Sequence, residues 1–326
     1  MSIFRSLFRS KRWEQVLRRL PLGASIRLEY FLLHHRFDRL KRPRTFKEKI
    51  MHRKLFDRDP RLPLLTDKVE VKDYVTKVLG EGWVIPNIWF GEKLEPRSKR
   101  NWPIPYVLKA SHGSGWDIFV WSPEDQNWDR IEAVAEQWLR RDYGRETREW
   151  AYTQIRPRRL LVERFMGAGR VAPPDYKLFV FDGRTALVQV DIGRLQTHRQ
   201  FFYNTNWERQ NFRYVCPFEP GEIERPPSLS KMIWAAERLA ADFPFVRVDC
   251  YEIGGKPYIG ELTFYPNGGQ IAFEPESVEQ ELGDLWPLDT RFRHTRQAGP
   301  VLNTGTAVLP CCPGEERNRR RGLPLR

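Results

Sequence analysis

An α+β fold with antiparallel sheets is the architecture this 326-residue chain predicts. Two stretches read as β-hairpins, one turning at Asp182-Gly183 and one at Gly254-Gly255, dipeptides suited to tight turns. After residue 100 such hairpins alternate with single helices, not with the regular β-α-β-α rhythm of a doubly wound sheet. Apolar residues make up 40% of the chain and there are 12 Trp, enough for a sizeable core and against wholesale disorder.

Residues 1–60 are basic and helical in pattern. Ile3, Phe4, Leu7 and Phe8, then Val16, Leu17 and Leu20, fall at helical spacing with Arg and Lys between them. That helix would lie either on its own domain or on an anionic membrane surface. The stretch lacks the unbroken apolar run of a secretory signal, and no run approaches a membrane span. Residues 36–44 are charge-rich and read as a loop. A helix is expected over 66–75, capped by Thr66 and stopped by Gly80 and Gly82. Then come a short strand over 84–90 broken by Pro86, a polar connection over 91–103, and an apolar strand over 106–110. Residues 117–121 form a further strand, 131–143 an amphipathic helix and 160–165 a strand. The first hairpin pairs 176–181 with 185–191. Residues 196–228 read as irregular. A helix over 230–243 carries Met232, Ala236, Leu239 and Ala240 on one stripe, and the second hairpin follows. After about residue 288 the pattern fades into a mobile basic tail ending near Arg319–Arg321. There is no internal repeat.

The net charge of +13 and a pI near 9.7 favour an anionic partner: nucleic acid, an acidic membrane, a nucleotide or an acidic polymer. The four cysteines form no C-x-x-C pair, and Cys311 and Cys312 are adjacent, which suits neither zinc nor an ordinary disulfide. This usage fits a reducing cytoplasm. No Ser or Cys nucleophile with a His partner is apparent.

Three places carry candidate chemistry. Lys109 interrupts an apolar strand and must meet solvent or an anion. His112-Gly113-Ser114-Gly115 follows it, and such a loop can turn backbone N–H groups onto a phosphate. It is not a classical P-loop, since G-K-[ST] is missing and a strand follows; a plain hairpin with an edge lysine reads the same way. Lys177 shares a strand face with Asp175. It is either a second phosphate contact or a lysine paired with Asp175 or Asp191. Last, Asp249 and Glu261 lie on the two strands of the second hairpin. Across a plain two-residue turn Asp249 would oppose Gly260, so a joint metal site needs a three-residue loop or a β-bulge. Such oxygen ligands suit Mg²⁺; the alternative is a structural Arg247–Glu261 ion pair.

Taken together these pieces resemble the ATP-grasp superfamily, and most closely its TupA-like branch, linked to teichuronopeptide and other surface-polysaccharide biosynthesis. The matching residues are Thr66-Asp67-Lys68 with Tyr74-Val75, LKASHGSG at 108–115, LLVERF at 160–165, PDYKLFVFDG at 174–183, R-V-D at 247–249 and GELTFYPNGG at 260–269. They run in order through most of residues 60–285. The resemblance implies an ATP-grasp fold: two α+β subdomains with antiparallel sheets gripping ATP, over 61–159 and 160–288, with a basic helical region over 1–60 and a tail over 289–326.

It also implies roles. Lys109 and Lys177 would hold ATP phosphates under a lid of His112, Gly113, Ser114 and Gly115. The backbone of Glu163, Arg164 and Phe165 would meet adenine, with Glu163 near the hinge or ribose. Asp249 and Glu261 would bind Mg²⁺. Thr263 stands where relatives have a metal-binding Asn, which leaves Thr263, Asn267 or water as third ligand. Arg247 would lie beside the transferring phosphate, with Lys177 also catalytic, and Arg194 and His198 are further candidates near the acceptor.

The implied activity is an ADP-forming carboxylate–amine ligase working through an acyl phosphate. It would join an amino acid to a uronic acid in an acidic glycan or lipid-linked saccharide precursor. The expected place is the cytoplasm, with peripheral contact at the anionic inner membrane, and nucleic acid is disfavoured. The alternatives are a kinase of a sugar hydroxyl on the same scaffold, or a non-catalytic basic module binding membrane or nucleic acid.

Overall fold

The computed structural model describes residue 17, residues 19–34 and residues 40–288. The start of the expected surface helix, residues 36–39 of the expected loop and the basic tail lie outside the described residues.

Two antiparallel sheets organise the chain. The first, in the order β1-β4-β2-β3, combines β1 (Asn87–Gly91), β2 (Tyr106–Ala110), β3 (Asp117–Val120) and β4 (Leu160–Arg164). The second, β7-β6-β5-β8-β9, combines β5 (Asp175–Phe181), β6 (Arg184–Ile192), β7 (Arg199–Tyr203), β8 (Phe245–Ile253) and β9 (Lys256–Thr263).

Strand alternation gives each sheet one apolar face and one mixed face. In the first sheet Tyr106, Leu108, Ala110, Leu160 and Val162 pack on Ile131, Ala135 and Trp138 of helix α5 (Trp128–Arg140). That turns Val107, Lys109 and Glu163 to the opposite face. In the second sheet Leu178, Val180, Val188, Val246 and Val248 pack on helix α8 (Leu229–Ala240), whose buried stripe includes Met232, Ala236, Leu239 and Ala240. The opposite face is divided. One half is aromatic, with Phe179, Phe181 and Phe245 packed against Phe46 of helix α2 (Phe46–Phe56). The other half is polar and carries Asp175, Lys177, Arg247 and Asp249.

Helix α2 begins with a capping box between Thr45 and Glu48, and Phe46 and Ile50 belong to the core of the second sheet. It therefore belongs physically with the later chain, not with a separate N-terminal region. Helix α1 (Leu22–His34) contributes Ile26 and Tyr30 to a smaller cluster with Met51 and Leu55 of α2.

Several local expectations shift. Thr66 ends a short helix, α3 (Leu62–Thr66), and its hydroxyl donates back to the Leu62 carbonyl. The start of α4 (Glu70–Leu79) is held instead by Asp67, whose carboxylate accepts from Val69 N at 2.7 Å and Glu70 N at 3.2 Å. Gly80, with φ 87°, stops α4 as expected. The helix over 131–143 ends at Arg140, because Asp142 caps a new turn, α6 (Tyr143–Thr147), through Arg145 N; α7 (Trp150–Gln154) follows. The stretch read as irregular contains β7, and helix α9 (Glu276–Asp284) closes the described part. Among the described residues no helix is long and apolar enough to cross a membrane.

Candidate active site

The mixed faces of the two sheets contribute to one cleft, lined by Val107, Lys109, Phe119, Glu163 and Phe165 from the first and by Arg194 and Tyr251 from the second. Arg164 also lines it. All of the sequence-predicted residues at 109 and 163–165 are therefore together in this cleft.

Lys109 meets a carboxylate in the same cleft. Its Nζ donates to Glu163 Oε2 at 2.6 Å, while Lys72 from α4 donates to Oε1. Burial alone would raise the Glu163 carboxyl, but Lys109 and Lys72 outweigh it and hold the group at about 2. Burial wins at Lys72, whose ammonium is pulled down. At Lys109 burial is overcome by Glu163 and Asp117, with a contribution from Glu261, and the ammonium is raised.

The loop after β2 has a pinned base and an exposed tip. Ser111 N donates to the Arg159 carbonyl at 2.8 Å, Ser111 Oγ donates to Asp67 at 2.9 Å, and Lys68 donates to the Gly113 carbonyl. A side chain at Gly113 would put its Cβ 2.7 Å from the Trp116 ring, so only glycine fits there. Ser114 and Gly115, the latter with φ 70°, are exposed. The His112 ring does not join them. It is buried against Trp116, with Nε2 at 3.0 Å from the Trp138 carbonyl, and burial pushes it down to about 4. At that position the loop offers backbone and not an imidazole.

The hairpin of β8 and β9 turns at a plain two-residue Gly254-Gly255, with φ 60° and 73° and Ile253 opposite Lys256. The three-residue loop is absent, and the other device that a joint site requires, a β-bulge, is present. A bulge between Asp249 and Cys250 sets Asp249 opposite Glu261 and Cys250 opposite Ile259. The extra residue is Gly260, where a Cβ would lie 2.8 Å from the Tyr251 ring.

This register assembles a polar row. Lys177, Asp249 and Glu261 are cross-strand neighbours on β5, β8 and β9. Lys177 Nζ donates to Asp249 at 2.7 Å and to Asp175 at 2.6 Å. Arg247 grips Asp249 with two bonds of 2.7 Å and reaches Thr263 Oγ1 at 3.2 Å, and Thr263 donates to Glu261 at 2.7 Å. The proposed structural pair of Arg247 with Glu261 is only a 3.6 Å contact. Asp249 is 3% exposed and Glu261 32%, so Glu261 is the open end of the row. Burial pushes the Asp249 carboxyl up, with Arg247 and Lys177 pulling against it. Burial also opposes charge on Glu261, but Lys68, Arg247 and Lys177 hold its carboxyl far below the usual range. Asn267 sits off this row, exposed on the turn after β9 with φ 46°.

Asp175, named from the sequence as a partner of Lys177, bridges Lys177 and Arg194. Lys72, which the sequence did not single out, completes the Glu163 pair, and Tyr251 lines the cleft. Lys72 stands four residues after Lys68 in a stretch expected to be helical, the one pattern that could have announced it. Among the described residues no group of three or more His, Cys, Asp or Glu could hold a metal. Asp249 and Glu261 would therefore need a hydroxyl, water or phosphate oxygens to complete a coordination shell.

No curated protein matches the chain. Among solved structures it is similar to D-alanine–D-alanine ligase from Bacillus anthracis complexed with ATP, at 15% identity over 68% of this chain and 65% of that one, TM-score 0.43. It is similar to L-amino acid ligase from Bacillus licheniformis at 12% identity over 68% and 45%, TM-score 0.39. It is also similar to ATP-grasp ligase PsnB complexed with minimal precursor at 12% identity over 63% and 53%, TM-score 0.37. The chain spans less than two thirds of the length of each, and likeness at this level says nothing of what it acts on. The TupA-like ATPgrasp family, in contrast, matches residues 48–286, a range that contains both sheets, the loop after β2 and the hairpin with its bulge. The chain belongs to the TupA-like ATP-grasp family.

Proposed function

We propose that this protein is an ATP-dependent, ADP-forming carboxylate–amine ligase that joins an amino acid to a uronic acid or related carboxylate of a surface glycan. The observation that carries this reading is the row Lys177–Asp249–Glu261 with Arg247, set by the Gly260 bulge, beside a cleft that holds Lys109 and Glu163.

The residues present fit ATP and Mg²⁺. Ile85, Val107, Phe119 and Phe165 offer apolar surface for a base, with Lys109 and Arg194 among the lining for phosphates. The buried Asp175 Oδ1 has no hydrogen-bond partner, so the row holds more anionic oxygen than its own cations satisfy. Asp249 and Glu261 would hold Mg²⁺, with Thr263 adjacent to Glu261. When bound, the ion supplies charge neutralisation at the phosphates.

Phosphoryl transfer to a carboxylate depends on positioning and electrostatics. Lys109 and Lys177 supply point charges from opposite sheets. Arg247 is held by its two bonds to Asp249, which removes the entropy cost of ordering it during reaction. The exposed Ser114–Gly115 tip would cover the phosphates and exclude water. The net charge of +13 suits an acidic glycan or a lipid-linked acidic precursor at an anionic membrane face.

The test is a screen of sugar acids against amino acids with ATP and Mg²⁺, reading ADP, free phosphate and product mass. Sustained, multiple-turnover release of free phosphate should require both partners, and Asp249→Asn or Glu261→Gln should lower its rate by about 100-fold or more. Phosphate retained on a sugar would make the protein a kinase. No response to any pair, or no effect of Asp249→Asn, would leave a binding module.

A further inference from the structure

The sequence shows no thiol with a histidine partner, but the fold makes one. Gln200 on β7 accepts with its Oε1 from Val215 N at 3.0 Å and Cys216 N at 3.2 Å, which ties the segment carrying Cys216 to the sheet edge. The tight loop before β7, closed by Gln196 N donating to the Gly193 carbonyl at 2.8 Å, delivers His198 beside it. Cys216 Sγ lies 3.5 Å from His198 Nδ1 and 3.6 Å from the His198 carbonyl, and His198 Nε2, which makes no hydrogen bond, lies 3.3 Å from Asp191 Oδ1 on β6. Asp191 is itself held by Gln189 Nε2 at 2.9 Å and stands 3.9 Å from Lys177 Nζ. The same loop presents Arg194 to the cleft, bonded to Asp175 at 2.6 Å. Asp191 therefore adjoins the polar row of the site through Lys177, with the imidazole next to it and the thiol beyond the imidazole.

The chemistry of the arrangement is directional. A carboxylate beside Nε2 favours the proton there, which leaves the Nδ1 lone pair facing sulfur. The group that faces this imidazole nitrogen in the resting protein is the Cys216 thiol. Burial, with Asp191 and Glu219, pushes the thiol up, so it rests protonated and needs a base to react. Cys216 is partly exposed, whereas Cys250 is fully buried in β8.

We propose that Cys216, with His198 as its base and Asp191 as the orienting carboxylate, accepts the acyl group from the acyl phosphate before the amine does. This rests on the ligase reading above. Sulfur attacks the acyl carbon, a C–S bond forms, the C–O bond to phosphate breaks, and the thiol proton passes through Nδ1 to the departing phosphate. The amine then attacks the thioester carbon, a C–N bond forms and the C–S bond breaks. The amine proton passes through Nδ1 to sulfur, which restores the thiol.

The test uses the full-length protein and acetyl phosphate as the acyl-phosphate probe, with intact-mass and peptide-level mass spectrometry. The expected result is one acetyl group on Cys216, removed by neutral hydroxylamine, formed at least about tenfold more slowly in His198→Asn and not formed in Cys216→Ala. No hydroxylamine-sensitive acetyl on Cys216, or an unchanged rate in His198→Asn, overturns the proposal. Iodoacetamide on the unsubstituted protein gives a reading independent of how the variants fold. Cys216 should be alkylated well before Cys250, and equal rates would overturn the proposal. Neither measurement uses ATP, so the ligase reading stands or falls separately on the phosphate-release screen.

Discussion

Glu163 holds two lysines from different elements at the cleft between the sheets. Lys72 comes from α4 and Lys109 from β2, and one buried carboxylate divides its two oxygens between them. Replacing it by glutamine keeps the volume and removes the charge, which strands two poorly solvated ammonium groups. Glu163→Gln should lose about 3 kcal/mol of stability near neutral pH, read by urea unfolding. The pH dependence has a defined sign. The folded carboxyl sits at about 2, below its unfolded value, so its contribution is complete above the ordinary carboxylate range. It is lost as pH falls toward about 2, and the gap between wild type and variant should close over that window. Lys109 was legible in the sequence because a lone lysine in an apolar strand needs an explanation. Its partner was not, because 54 residues separate Lys109 from Glu163 and 91 separate Lys72 from it. The same limit hid the contact of His198 with Cys216, 18 residues apart and brought together by a sheet edge.

At the scale of elements the β8–β9 hairpin decides the site. Its strands, turn and two acids are all visible as alternation around Gly254-Gly255. The bulge was one of two devices, with a three-residue loop, that could bring the acids together, and the alternation did not choose between them because glycine at 260 is equally consistent with a regular strand. Its necessity appears only when Tyr251 is seen against it. Gly260→Ala must displace that ring and should cost about 1–3 kcal/mol. Because Tyr251 lines the cleft, the variant should also bind nucleotide more weakly, measured by ATP titration alongside unfolding. If stability and nucleotide affinity are both unchanged, the bulge does not depend on glycine. β7 was missed for a related reason. Its sequence RQFFY carries two polar residues at its start, and its role is to place Gln200 under the Cys216 segment.

At the scale of the molecule, helix α2 joins the start of the chain to its functional half. Phe46 packs against Phe179, Phe181, Phe245, Phe273 and Trp286, with ring centroids 5.0–6.0 Å away. Three cations on the same helix also turn inward. Lys49 donates to the Gly283 and Trp286 carbonyls, Arg53 to that of Phe264, and Lys54 to those of Thr147 and Gly268. Phe46→Ala should cost about 3–5 kcal/mol in urea unfolding. A charge-rich helix reads in sequence as a solvated one, so this docking was invisible until the partner carbonyls were in place. What the sequence determined by itself is what local chemistry dictates: strand and helix patterns, the hairpins, the lone Lys109 and Lys177, and an ordered motif set sufficient for the family. The tertiary structure decided which charges meet: Glu163 with two lysines, Asp249 opposite Glu261, and His198 beside Cys216. Periodicity acts between neighbours along the chain, whereas electrostatic pairing and bulge register depend on distances that exist only after distant strands have packed.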